Sequence, residues 1–129
     1  HQAFLLLLQE ERQIDHAVLA ESCRLIGKYT QAKQFFVKAI ALEGESVQLV
    51  CGLVDCTRDS NAMGIVIQST SPDDTSSYWY WLANVRILQW YAEDGGEPVE
   101  IAAKINRLRK KDASLGGAQF ISEFNALLF

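Results

Sequence analysis

The chain has 129 residues, of which 49% are hydrophobic and 22% charged, with a formal net charge of −4. That length suits one domain with a workable core, and so large an apolar fraction excludes a disordered polyelectrolyte. The apolar run near the start, from Ala3 to Leu8, is far shorter than the roughly 20 residues of a spanning helix, and the mild acidity argues against nucleic acid as partner of the whole surface.

Apolar residues then recur at helical spacing along the chain. Ala17, Leu19, Ala20, Cys23 and Ile26 form a first face, and Phe35, Phe36, Ala39 and Ile40 a second. Gly27 is suited to the left-handed residue that closes a helix, Thr30 to capping the next one, and Gly44 to ending it. Ser46 caps a third helix running to about Thr57. A fourth starts at Asp59 or Ser60, although its β-branched run Ile65-Val66-Ile67 also has strand propensity. Residues 69–77 are polar, contain Pro72 and read as a loop, with Asp73, Asp74 and Thr75 as candidate caps. A long helix over about 76–93 stops at Gly95-Gly96. Pro98 suits the first turn of the next helix, which runs to about Lys110. A break over 112–117 precedes a last helix over about 118–128. Connections this short force neighbouring helices into hairpins, so the fold class is all-α, built of stacked antiparallel helical hairpins.

Residues 17–42 carry a more specific pattern. Gly27, Tyr29, Ala32, Phe36, Ala39 and Leu42 stand at the spacing of the tetratricopeptide turn and second helix, with Ala20 at the small position of the first helix. Small side chains at Ala20, Ala32 and Ala39 allow two helices to approach closely, and Tyr29 and Phe36 fill the open end of the hairpin. His16 and Cys23 stand where the family has aromatic residues in its first helix. Gly52 and Ala62 suggest a second repeat hairpin, so the whole chain, 1–129, reads as a single helical-repeat domain forming a short tetratricopeptide-like solenoid. Because it begins at His1 rather than Met, it is expected to be the C-terminal fragment of a longer chain. Such repeats bind other proteins. The positions with which the co-chaperone type of repeat grips a peptide carboxylate are Ala17, Val18 and Glu21 here, which offer no cationic donors.

Tyr78-Trp79-Tyr80-Trp81 and Trp90-Tyr91 make the long helix apolar on several faces, which marks a central helix. Tyr80 and Trp90 fall off the main stripe and are expected to mark a partner contact. Lys104, Arg107, Lys110 and Lys111 form a basic run that either complements the helix dipole or touches RNA, DNA or an acidic protein segment. Aromatic residues are not interleaved with it, which weakens single-strand binding.

The sequence carries no phosphate-binding glycine loop and no nucleophile elbow, and its imidazoles are His1 and His16 alone. Cys51 and Cys56 lack a second pair to complete zinc's ligands, and the odd count with Cys23 makes a poor disulfide framework. The expectations are therefore no catalytic residue, no metal, no cofactor and no small-molecule substrate, in a reducing compartment.

The second half, with Ser77-Tyr78-Trp79-Tyr80-Trp81 leading to Ile87-Leu88-Gln89-Trp90-Tyr91 and a glycine turn, resembles the C-terminal helices of the Integrator complex subunit 8 family. A repeat hairpin and a Cys-bearing hairpin precede it, and a basic stretch like 107–111 and a last helix with Phe120 and Phe129 follow, in the family's order. The resemblance covers about 16–129, and the break at 112–117 departs from it. It implies an all-helical, non-catalytic scaffold within the nuclear Integrator complex, which attenuates RNA polymerase II transcription and processes small nuclear RNA. The family's role there is to help hold protein phosphatase 2A, through a motif near its N-terminus that has no counterpart in this chain. The implied partners are other protein subunits of a larger complex. The implied place is the nucleus, with the cytoplasm as alternative.

Overall fold

The computed structural model describes residues 15–128, and among these every regular element is a helix. In chain order they are α1 (His16–Leu25), α2 (Tyr29–Glu43), α3 (Val47–Thr57), α4 (Ser60–Gln68), α5 (Ser77–Glu93), α6 (Pro98–Lys111) and α7 (Ala118–Ala126). They fall into two compact units, one ending at Thr57 and the other beginning at Arg58.

The first unit contains α1, α2 and α3. The Asp15 carboxylate accepts from the Ala17 amide at 2.9 Å and starts α1. Gly27 ends that turn at φ +82°, with the Lys28 amide donating back to the Cys23 carbonyl at 2.8 Å. Thr30 does not cap α2. The helix begins one residue earlier, at Tyr29, with Lys28 in the cap position and no side-chain acceptor. Gly44 ends α2 at φ +83°, and Ser46 Oγ accepts from the Leu49 amide at 3.2 Å to start α3.

α2 packs on both α1 and α3. Ala20, Ala32, Phe36, Ala39 and Leu49 close the core between them, flanked by Ala17, Cys23, Phe35, Ile40, Leu53 and Cys56. Gly52 has a definite reason here. A Cβ at that position would lie 2.3 Å from Phe36 Cζ and 2.5 Å from Cε1, so the bare backbone of α3 makes room for the ring. Gly52 therefore serves the approach of α3 to α2. The expected second hairpin would span the point where the two compact units divide, and Ala62, its other small residue, is only half-buried on α4.

The second unit contains α4 to α7. Asp59 caps α4 by accepting from the Ala62 amide at 3.1 Å, and the β-branched run is helical because Met63 and Val66 bury against neighbours. Asp74 does not cap α5. Its carboxylate accepts from the Ser76 amide at 2.7 Å and from the Ser76 hydroxyl, a turn of its own over 74–76 that ends at the N-cap residue. α5 is contacted by α4, α6 and α7, and every residue from 79 to 85 is buried. Pro98 opens α6, whose Ile101, Ile105 and Leu108 face inward. Arg109 donates to Asn125 at 2.8 Å, and Arg86 and Gln89 both donate to Glu123 at 3.2 Å, which ties α7 to α6 and α5. The connection 112–117 is held by Asp112, which accepts from the Ser114 amide and hydroxyl at 2.9 and 2.7 Å. Those bonds keep its carboxyl below the usual carboxylate range. Leu115 is fully buried in a left-handed conformation, and Gly116 lies so close to Trp81 that a Cβ would stand 2.5 Å from the indole Cγ.

Candidate interaction surfaces

In the first unit the residues singled out for repeat packing part company. Ala20, Ala32, Phe36 and Ala39 are buried together, and Gly27 sits at the turn. Tyr29 does not join them. It is 49% exposed, because it opens α2 at a point where α1 has already ended. Ile26, expected on the apolar face of α1, also lies past the helix end and is 69% exposed. With Leu25 and Leu42 it belongs to a set of large apolar side chains left at the surface of this unit.

Beneath that surface lies an ion pair with no clear signature in the sequence. Arg24 Nη1 donates to Asp55 Oδ2 at 2.7 Å and joins α1 to α3, while its Nε reaches Glu21 one turn back at 2.5 Å. Both Arg24 and Asp55 are buried. Two charges out of water are tolerable only when paired and hydrogen-bonded. The neighbouring Cys56 thiol is pushed up to about 11, by burial first and by the Asp55 carboxylate second. It therefore stays protonated near neutral pH and is a poor nucleophile.

In the second unit Tyr80 and Trp90 are buried, contrary to their expected role as partner-facing rings. A helix covered on more than one face has no spare side on which an off-stripe aromatic residue can emerge. A cation stands over each ring: Lys111 Nζ 5.6 Å from the centre of the Tyr80 ring, and the Arg58 guanidinium 5.9 Å from that of Trp90. Lys104, Arg107, Lys110 and Lys111 are all exposed on α6. A shallow cleft of about 220 Å³ opens between Pro72, Tyr78, Trp81, Asp112 and Phe120. The Asp112 carboxylate in it already accepts from its own loop.

Among the described residues no group of three His, Cys, Asp or Glu side chains is placed to hold a metal ion, and no helix is long and apolar enough to cross a membrane. His16 stacks on Phe35 with ring centres 6.2 Å apart, which gives the imidazole a packing partner. What the two units offer is surface: apolar side chains on the first and a cationic strip on the second.

No protein-family model, no curated protein and no solved structure matches the chain.

Proposed function

We propose that the chain is a non-catalytic protein-interaction scaffold of the tetratricopeptide-like kind, a stack of helical hairpins that works inside a larger assembly. The observation that carries this reading is the surface of the first unit. Its core is already closed by Ala20, Ala32, Ala39 and Phe36, yet Leu25, Ile26 and Leu42 remain 66, 69 and 71% exposed. Single exposed apolar residues are ordinary, but several large ones on a three-helix unit of this size suit contact with a neighbour. Repeat units bury such faces against the next unit or a partner.

The sequence resemblance extends the proposal to the assembly itself: a nuclear Integrator-type complex, in which the chain helps hold protein phosphatase 2A during transcription attenuation and small nuclear RNA processing. That extension rests on the order of motifs over about 16–129 and on no other observation.

Affinity capture from nuclear extract tests both levels, with the chain as bait and Leu25→Ser/Ile26→Ser/Leu42→Ser beside it. Stoichiometric recovery of Integrator subunits by the native chain, lost with the triple variant, is the expected result. Stable partners of another assembly would remove the Integrator extension. No saturable protein partner for a folded bait would remove the scaffold reading.

A further inference from the structure

We propose that the basic strip of α6 docks a short acidic protein segment. For the class of partner, this rests on the interaction-scaffold reading above. Lys104, Arg107 and Lys111 follow one another at three- and four-residue steps along one side of α6, and Lys110 lies beside them; all four are exposed. The helix dipole accounts for cations in the last turn, here Arg109, Lys110 and Lys111. Lys104 and Arg107 lie before that turn, and among the described residues no carboxylate pairs with either of them. The anion best placed to neutralise Lys104 is Glu100, one turn earlier. Its Oε2 accepts from the Tyr91 hydroxyl, and no ion pair joins it to Lys104. Arg109 is occupied by Asn125. The remaining four cations are left facing water in a chain of net charge −4.

The size of the strip selects the partner. From Lys104 to Lys111 the helix rises only about 10 Å. Glu97 and Glu100 bound it at one end and Asp112 at the other. A nucleic acid, with about one charge per 1.7 Å of duplex, would run past the strip onto those carboxylates. An extended peptide with three or four acidic side chains spans about the same 10 Å and stops there. Lys111 is pre-positioned at one end by the Tyr80 ring beneath it.

The test uses the whole chain and a fluorescein-labelled peptide of four alternating Glu and Asp residues, read by anisotropy at low salt. Saturable binding is expected. It should weaken about tenfold in Lys104→Gln/Arg107→Gln/Lys110→Gln, the loss of three exposed ion pairs. Lys28→Gln/Lys33→Gln/Lys38→Gln, an equal charge change in the first unit, should leave it unaltered. Far-UV circular dichroism checks folding, and Lys110→Gln alone, with a loss of about twofold, serves if the triple variant unfolds. The proposal is overturned by absent peptide binding, by equal loss in the control, or by a thymidine oligonucleotide that binds more tightly than the peptide. Capture of the same nuclear partners by the native chain and the α6 variant also overturns it, while leaving the scaffold reading in place.

Discussion

Substituting Gly52 by alanine tests how closely α2 and α3 approach. A new methyl group would stand 2.3, 2.5 and 3.0 Å from three carbons of the Phe36 ring. Ordinary carbon contacts begin near 3.5 Å, so ring or helix must give way by about 1 Å. Phe36 is 1% exposed and hemmed in by Ala20, Ala32, Ala39 and Leu49, so it cannot swing into solvent. Overpacking of this kind costs ~1–3 kcal/mol. Alanine's better helix propensity returns ~1 kcal/mol, so a net loss of up to ~2 kcal/mol is expected. All three tryptophans lie in α5, within the second unit, so none of them belongs to the core this change disturbs. Urea titration followed by far-UV circular dichroism is the suitable measurement. Phe36→Leu, which shortens the offending side chain, should cost less in the alanine background than in the native chain, a coupling of ~1 kcal/mol in a double-mutant cycle. An alanine variant more stable than the native chain, or a cycle without coupling, would refute the tight packing of Phe36 on α3.

Asp55→Ala removes the buried carboxylate to which Arg24 Nη1 donates, while Glu21 stays on Nε, and should cost ~1–3 kcal/mol in urea titration; Arg24→Met/Asp55→Leu should recover most of it. The Cys56 thiol, raised from 9.0 to about 11 by burial, ionises more readily unfolded than folded. Its contribution to stability is therefore complete below pH 9 and is lost as pH rises toward about 11, and Cys56→Ala should flatten that limb in melts taken across this window. Trp90→Ala should lower stability by ~3–5 kcal/mol, as for a core aromatic, measured by thermal melting. A change in partner binding with unaltered stability would return Trp90 to the surface.

The parts of the fold legible in the sequence are those governed by neighbours a few residues apart. Gly27 and Gly44 announce their turns because only a residue without a side chain takes φ near +80° freely. Ala20, Ala32 and Ala39 announce a close helix pair through their spacing. Other features depend on distant chain. Arg24 and Asp55 are 31 residues apart, and each alone reads as an ordinary surface charge. The partner-facing reading of Tyr80 and Trp90 failed because periodicity identifies one buried side of a helix, whereas α5 is covered on more than one. Tyr29 failed for a local reason: the aromatic position opens its helix, beyond the end of α1. In the cationic strip, the sequence showed the charges. Only the structure showed that, among the described residues, no carboxylate pairs with four of them, while the fifth, Arg109, donates to Asn125.

The stacking of Lys111 over Tyr80 gives the protein an optical reporter of its own. Tyr80 meets Trp81 edge-on, ring centres 5.2 Å apart, and Trp81 in turn meets Phe124. An anion that drew the ammonium off the phenol would alter the electric field across the neighbouring indole. Its arrival would register as a shift in emission colour, with no dye attached.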